Sequence, residues 1–191
     1  MNIMKLVAAL LCGLWMGAAM AVQVEGVDVA EELPAAEGQP ALVLNGAGVR
    51  KKFVVKVYVG ALYLPAKQQD AEAIIAAGAR RMAMYVLRDE LTAEQLISAL
   101  NEGLAANHTP EEMKALDARV QEFNAVMQAV GNVKKGGVIA IDFVPGTGVR
   151  VAVNGEGKGT VAGEEFSRAL IKVWLGKHPV DAGLKVKLLG G

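Results

Sequence analysis

The feature that most constrains the fold is a short glycine-containing segment between two apolar runs. Residues 45–48 read Asn-Gly-Ala-Gly, residues 42–44 before them are apolar, and residues 50–64 after them are rich in Val, Tyr and Phe. Asn and Gly favour turns, whereas β-branched and aromatic residues favour strands. The pattern predicts a tight turn at 45–48 that joins a short strand to a long strand over 50–64, which Pro65 ends.

A further strand is predicted over residues 81–87, whose side chains would alternate between the two faces of a sheet. Met82, Met84 and Val86 point one way, and Ala83, Tyr85 and Leu87 point the other way. Because both sets are apolar, the strand is expected to be covered on both faces. Further strands are predicted over 138–144, 149–153 and 160–161, with Asn154-Gly155 as a hairpin turn.

Helices are indicated by capping signals and by apolar residues at helical spacing. Thr92 with Gln95 forms a capping box, and Thr109 followed by Pro110 opens a second helix. Other helices are predicted over 70–79, 164–175 and 181–189. The order of strands, helices, strands and helices is a segregated α+β pattern in one domain rather than a doubly wound sheet.

Residues 1–21 have the pattern of a signal peptide, so the folded domain is predicted to span residues 22–191. Lys5 precedes the apolar run 6–16, and the small residues Ala19 and Ala21 stand at the positions that a signal peptidase reads. The run is short for a membrane span, which disfavours an uncleaved anchor. We expect cleavage after Ala21, a periplasmic or secreted protein, and no transmembrane segment in the mature chain.

The mature composition excludes several classes of function. The only cysteine, Cys12, leaves with the signal, so thiol chemistry and disulfides are excluded. Removing Lys5 leaves 19 basic and 20 acidic residues, a formal charge of −1. Nucleic acid and an anionic membrane surface are therefore expected to be poor partners. Metal-ligand spacings such as HExxH are absent.

Arg50 is the candidate site residue, because it stands beside the apolar run of the long strand. Two interpretations are open. It is either an edge arginine with its head in water, or a forked donor aimed at a ligand carboxylate or ketone oxygen. In the second case the chain holds a pocket for an apolar molecule with an anionic or polar head. His108 and His178 have the settings of capping or surface histidines.

The residues around Arg50 resemble the chalcone isomerase superfamily. Residues 45–50 are similar to the family's Gly-Ala-Gly-x-Arg segment, and residues 53–64 to its Lys-Phe-Thr…Val-Tyr-Leu strand. The resemblance extends through residues 91–92 and 167–176 and is strongest to bacterial secreted members. It implies an open-faced β-sandwich, a large antiparallel sheet backed by helices, with a ligand cleft between the two layers. Plant members close a chalcone ring, others bind fatty acids, and some relatives bind haem.

The resemblance also implies site residues. Arg50 matches the catalytic or carboxylate-binding arginine, Tyr58 falls on an active-site threonine, and Ser167 on a pocket-lining Ser/Thr. Leu96 stands where the enzymes carry a substrate-facing tyrosine, and Gly103 where they carry an asparagine. A pocket that keeps the arginine but loses its polar network is expected to bind its ligand rather than convert it.

The expected function is therefore non-catalytic binding of a small apolar, fatty-acid-like carboxylate at Arg50, Tyr58, Leu96 and Ser167, with no metal and no cofactor. Two alternatives stay open. One is an intramolecular lyase or isomerase acting on a phenolic enone. The other is a haem-binding protein that uses His108 or His178, without covalent attachment because CxxCH is absent. The ligand's identity and the oligomeric state do not follow from these patterns.

Overall fold

The structure, a computed structural model, describes residues 20–36, 38–76 and 78–191. The described chain alternates sheet and helix segments. The strands are β1 (Ala21–Val24), β2 (Val27–Ala30), β3 (Glu32–Leu33), β4 (Leu42–Lys52), β5 (Val55–Leu64), β6 (Arg80–Val86), β7 (Glu90–Leu91), β8 (Val133–Lys134), β9 (Val138–Val144), β10 (Gly148–Val153) and β11 (Glu156–Val161). The helices are α1 (Ala71–Ala76), α2 (Ala93–Ala106), α3 (Pro110–Val130), α4 (Glu164–Leu175) and α5 (Ala182–Leu188).

Seven strands form one antiparallel sheet in the order β11-β10-β9-β6-β5-β4-β3. Its main apolar core lies against helices α2, α3, α4 and α5, and a smaller apolar cluster lies on the opposite face. The N-terminal hairpin β1–β2 contributes to that second cluster through Val29. The predicted α+β architecture, a large antiparallel sheet backed by helices, is confirmed.

Strand β6 is covered on both faces, as its alternating sequence predicts. Met82, Met84 and Val86 belong to the core under the helices, whereas Ala83 belongs to the smaller cluster, with Tyr85 packed against it. Strand β5 divides in the same way. Tyr58 and Leu62 face the helices, and Val59 and Tyr63 face the N-terminal hairpin. The middle parts of both strands are apolar because neither face meets water there.

The predicted helix starts are confirmed by their hydrogen bonds. Thr92 caps α2, and its side chain accepts from the Gln95 backbone while the Gln95 side chain accepts from the Thr92 backbone. Thr109 caps α3 through the same reciprocal arrangement with Glu112, and Pro110 is the first helical residue. Local sequence alone determines these boundaries because the capping groups lie within three residues of one another.

The predicted turn at residues 45–48 is wrong. These residues lie inside β4, and the chain reverses at residues 53–54 instead. The predicted long strand over 50–64 is therefore the end of β4, a hairpin turn and β5. Arg50 accordingly lies near the C-terminal end of β4 rather than at the start of a central strand.

The glycines of β4 serve close packing rather than a turn. A Cβ atom on Gly46 would overlap the Lys187 carbonyl oxygen, and one on Gly48 would lie 2.6 Å from Lys187 Cβ. Helix α5 therefore lies directly on the backbone of β4. Asn45 is buried and donates from Nδ2 to the Leu188 carbonyl oxygen at 2.8 Å, which holds the end of α5 in place.

Among the helices of the described ranges, none combines the length and the apolar character that crossing a bilayer requires.

Candidate functional site

Two adjoining concavities meet at Arg50. The inner one, called the inner cavity, lies between the helix-facing side of the sheet and helices α2 and α4. Its volume is about 20 Å³. Most of its wall is aliphatic, and its polar atoms come from four side chains. Its lining residues are Arg50, Val57, Tyr58, Met84, Leu91, Gln95, Leu96, Ala99, Leu100, Val173, Trp174 and Val180.

The second concavity, called the outer groove, has a volume of about 260 Å³ and opens beside the inner cavity. It shares Arg50 with the inner cavity, and its other basic residues are Lys52 and Arg88. Glu94 and Ser98 of α2 line the opposite side. Five residues line both concavities, and Arg50 is the charged one among them, so it lies on the boundary between a charged groove and an apolar cavity.

Arg50 and Tyr58 are direct partners across the β4–β5 pair. Directly opposed residues of an antiparallel pair present their side chains on the same face. The Arg50 Cζ atom lies 5.6 Å from the centre of the Tyr58 ring, which is cation–π geometry. The pairing register shifts between Arg50 and Lys51, where the ladder is irregular. The ring thus orients the guanidinium, while Arg50 itself is only partly buried.

The hydroxyl of Tyr58 is fixed from the helix side. Trp174 Nε1 of α4 donates a hydrogen bond of 2.9 Å to Tyr58 Oη. Burial raises the pKa of Tyr58 to about 12, against an opposing effect of the Arg50 charge. The phenol is therefore neutral at physiological pH. Its oxygen accepts from Trp174, and no residue of the described ranges accepts its proton, so this O–H is available to a ligand.

Helix α2 forms one wall of the cavity through Gln95, Leu96 and neighbouring apolar residues. Gly103, farther along α2, is where this helix lies against α4. A Cβ atom there would come within 2.8 Å of Val173 Cγ1. Gly103 is thus a packing residue, and it sets the separation of the two helices that enclose the cavity.

Three of the four predicted site residues come together. Arg50, Tyr58 and Leu96 line the inner cavity, with Leu96 as apolar wall. Ser167 does not line it. Ser167 lies two helical turns before Trp174, roughly 10 Å along α4. Its hydroxyl donates to the Gly163 carbonyl oxygen at 3.1 Å, and its own carbonyl accepts from Arg80 at 3.3 Å.

His108 and His178 line a different surface groove, of about 390 Å³. His108 Nδ1 lies 2.8 Å from the Leu104 carbonyl oxygen, and the His178 backbone N–H donates to Asn107 Oδ1 at 3.0 Å. Neither histidine lines the inner cavity. Across residues 20–36, 38–76 and 78–191, no group of three or more His, Cys, Asp or Glu side chains is placed to hold a metal ion.

Trp174, Lys52 and Arg88 are site residues that the sequence patterns do not predict. The sequence contains an indication for Trp174. A tryptophan on the apolar face of a helix is expected to be buried, and its N–H then needs an acceptor. Lys52 and Arg88 carried no such signal. They line the same groove only because β4 and β6 run in the same direction and their C-terminal ends lie at the same end of the sheet.

The fold is shared with a solved structure, the fatty-acid binding protein of Arabidopsis thaliana. The two structures superpose with a TM-score of 0.65 at 16% sequence identity, over 86% of this chain and 92% of the other. At this identity the likeness shows a common fold. No curated protein matches the sequence.

A family model described as chalcone isomerase-like matches residues 21–190, which is nearly the whole of the described chain. The match includes both strands that carry Arg50 and Tyr58 and both helices that enclose the inner cavity. This protein belongs to the chalcone isomerase-like family.

Proposed function

We propose that the protein binds a fatty-acid-like carboxylate without converting it. The carboxylate sits at Arg50, and the apolar chain lies against the wall of the inner cavity. The observation that carries this proposal is the position of Arg50 on the boundary between the charged outer groove and the apolar inner cavity. An amphiphilic anion is the class of ligand that has one part suited to each side.

Two donors of different character, Arg50 and Tyr58, line the inner cavity. Arg50 supplies a forked, permanently charged donor, which matches the two oxygens of a carboxylate. Tyr58 supplies a neutral O–H whose oxygen is already occupied by the Trp174 N–H. A carboxylate that accepts from both groups has its charge compensated while its chain points away from water.

The size of the inner cavity implies that binding opens it. Its space of about 20 Å³ accommodates about one water molecule. A fatty acyl chain therefore enters only when side chains of the wall move apart. Met84 is suited to such movement because its unbranched side chain adapts to irregular shapes, and Leu96 and Leu100 are the aliphatic groups of α2 that would follow.

The chemistry of the inner cavity favours binding over ring closure. Ring closure of a phenolic enone needs a group that removes the phenol's proton. No carboxylate or histidine lines the inner cavity, and Tyr58 remains protonated because burial raises its pKa to about 12. The structural relative whose name describes fatty-acid binding gives further support for the binding interpretation.

The test is to purify the protein from its native host and identify what it carries. Native mass spectrometry and lipid extraction should return a stoichiometric fatty acid, and a delipidated sample should bind one in solution. Parallel assays with a chalcone and with haem examine the alternatives. An empty protein with no affinity for fatty acids would refute the proposal, and ring closure faster than buffer would replace it with the isomerase.

We propose further that the protein is exported and begins at Val22. Cleavage after Ala21 would keep the pairs Val22–Val29, Gln23–Asp28 and Val24–Val27 of the N-terminal hairpin. Cell fractionation with N-terminal sequencing tests this proposal. Recovery of the protein in the periplasm or medium with Val22 first is the expected result, and a chain that still starts at Met1 contradicts it.

A further inference from the structure

The tip of the β4–β5 hairpin exposes large apolar side chains to water. Phe53 is 92% exposed and Val54 is 93% exposed, and Val55 beside them is about half exposed. Large exposed apolar groups placed side by side mark surfaces that contact another apolar phase. The rest of the hairpin is well buried from Val57 onward, so the exposure is confined to the tip.

The tip also has an unfavourable backbone. Phe53 adopts φ +56°, a left-handed conformation that is uncommon for a bulky residue. Two-residue hairpin turns favour Gly, Asn or Asp at positions of positive φ. Phe53 therefore has a conformational cost and gains no burial within this chain. An exposed aromatic side chain on a strained backbone points to a role outside the folded core.

Positive charge surrounds the apolar tip. Lys51 and Lys52 precede it and are exposed, and these two lysines supply the charge. Lys56 follows the tip, but an ion pair of 2.6 Å with Glu25 offsets its charge, and Asp181 Oδ2 accepts a hydrogen bond of 2.9 Å from the Lys51 backbone N–H. We propose that this hairpin tip, residues 51–56, docks the protein on an anionic lipid bilayer. Phe53 and Val54 would enter the acyl boundary while the lysines contact the anionic headgroups. The near-neutral total charge predicts no such surface, because a total averages over the two neighbouring lysines at the tip.

The tip is continuous with the ligand site. Lys52, the residue before Phe53, lines the outer groove together with Arg50. A hairpin inserted in a bilayer would hold that groove at the membrane surface, where a fatty acid could pass between the two. This transfer step rests on the proposed function, whereas bilayer docking does not depend on it.

Vesicle flotation tests the docking. Wild-type protein should float with vesicles of phosphatidylcholine and phosphatidylglycerol in equal amounts, and not with phosphatidylcholine alone. The variant F53S/V54S should lower the partition coefficient by about tenfold or more. V186S removes an apolar side chain that is 56% exposed on α5 and should have no effect.

A second pair of variants tests the contribution of the lysines to vesicle binding. K51Q/K52Q should weaken binding to the anionic vesicles by roughly tenfold or more, at about fivefold per lysine. K67Q/K114Q removes the same charge from exposed lysines elsewhere and should leave the partition coefficient within about twofold, since the field decays over roughly 10 Å.

A tryptophan probe distinguishes a bilayer from a protein partner. In F53W the new indole should shift to the blue on anionic vesicles and be quenched by brominated lipid, over the constant signal of buried Trp174. A blue shift without vesicles that grows with protein concentration would assign the tip to a dimer interface and overturn the proposal. Equal flotation of wild type and F53S/V54S would also overturn it.

The two proposals fail in different ways. F53S/V54S should bind a fatty acid in solution like the wild type. Loss of vesicle docking alone would leave the binding function intact. Vesicle docking without any fatty-acid affinity would refute the binding function and leave the docking proposal in place.

Discussion

Trp174 and Tyr58 are 116 residues apart in the chain, and the Trp174 indole N–H donates to the Tyr58 hydroxyl at 2.9 Å. This bond joins α4 to β5 inside the core. The face of the same Tyr58 ring lies against the Arg50 guanidinium, 5.6 Å away. One tyrosine thus connects the buried helix, the central strand and the charged group at the cavity entrance.

Tyr58→Phe should destabilise the fold because it leaves the Trp174 N–H buried without an acceptor. A lost partner of this kind costs about 1–3 kcal/mol in the free energy of unfolding, measured by urea denaturation. Removing both groups in Y58F/W174F leaves no orphaned donor, although the smaller ring at 174 opens a cavity. The double variant should lose less stability than the sum of the losses in the two single variants, and simple additivity would show that the bond contributes nothing.

The stability of the protein should fall at alkaline pH partly because of Tyr58. Its pKa is raised from 10.0 to about 12 in the folded state, so the unfolded state loses its proton first. The contribution of Tyr58 is fully present below pH 10 and is lost as the pH rises toward about 12. Over that interval it should fall by about 1.4 kcal/mol per pH unit.

The comparison with Y58F isolates this effect from other alkaline titrations. The unfolding free energy of Y58F should depend less on pH in the same interval. Burial also raises the pKa of Tyr63, which contributes a loss of the same sign in both proteins. Parallel curves for wild type and Y58F between pH 9 and pH 12 would contradict the shift assigned to Tyr58.

Arg50→Ala should weaken a carboxylate ligand and leave the fold nearly unchanged. A charge-assisted hydrogen bond contributes about 1.5–3 kcal/mol, which corresponds to roughly 10- to 150-fold in Kd by fluorescent fatty-acid displacement. Arg50→Lys should recover only part of the affinity because an ammonium cannot form the two parallel bonds. Uncharged alcohols of the same chain length serve as control ligands, and their affinity should change little in Arg50→Ala. If Arg50→Ala instead unfolds the protein with unchanged affinity in the folded fraction, Arg50 is structural.

Gly46→Ala should destabilise the packing of α5 on β4. Its added methyl group meets the carbonyl of Lys187, which belongs to a helix backbone and cannot move independently. Overpacking of this kind costs about 1–3 kcal/mol in unfolding free energy. Gly157→Ala is the matched control because its Cβ would meet no atom within 4 Å. Equal stability of the two variants would show that α5 adjusts freely.

Predictions from the sequence were accurate where the deciding groups are neighbours in the chain. The capping boxes at Thr92 and Thr109 and the alternation in β6 are confirmed because their information lies within a few residues. The turn at residues 45–48 was misplaced because glycine has two uses. A glycine whose role is contact with a distant helix carries the same local signal as a glycine in a turn.

For the candidate site, the resemblance to a known family identified Arg50, Tyr58 and Leu96, and the structure places all three around one cavity. Ser167 was matched to the same pocket but lies two turns before Trp174, near the start of α4, because residues seven apart on a helix are roughly 10 Å apart along its axis.

The sequence by itself determined the class of fold, the helix starts and the apolar faces of the central strands, since these depend on local periodicity and capping. Only the tertiary structure decided that Trp174 meets Tyr58, that α5 lies on the glycines of β4, and that Phe53 projects into solvent. Each of these relationships joins groups whose distance is set by packing and chain reversal. Such a distance cannot be predicted from the separation of two residues in the sequence. It is set only when strands pair and helices pack against them.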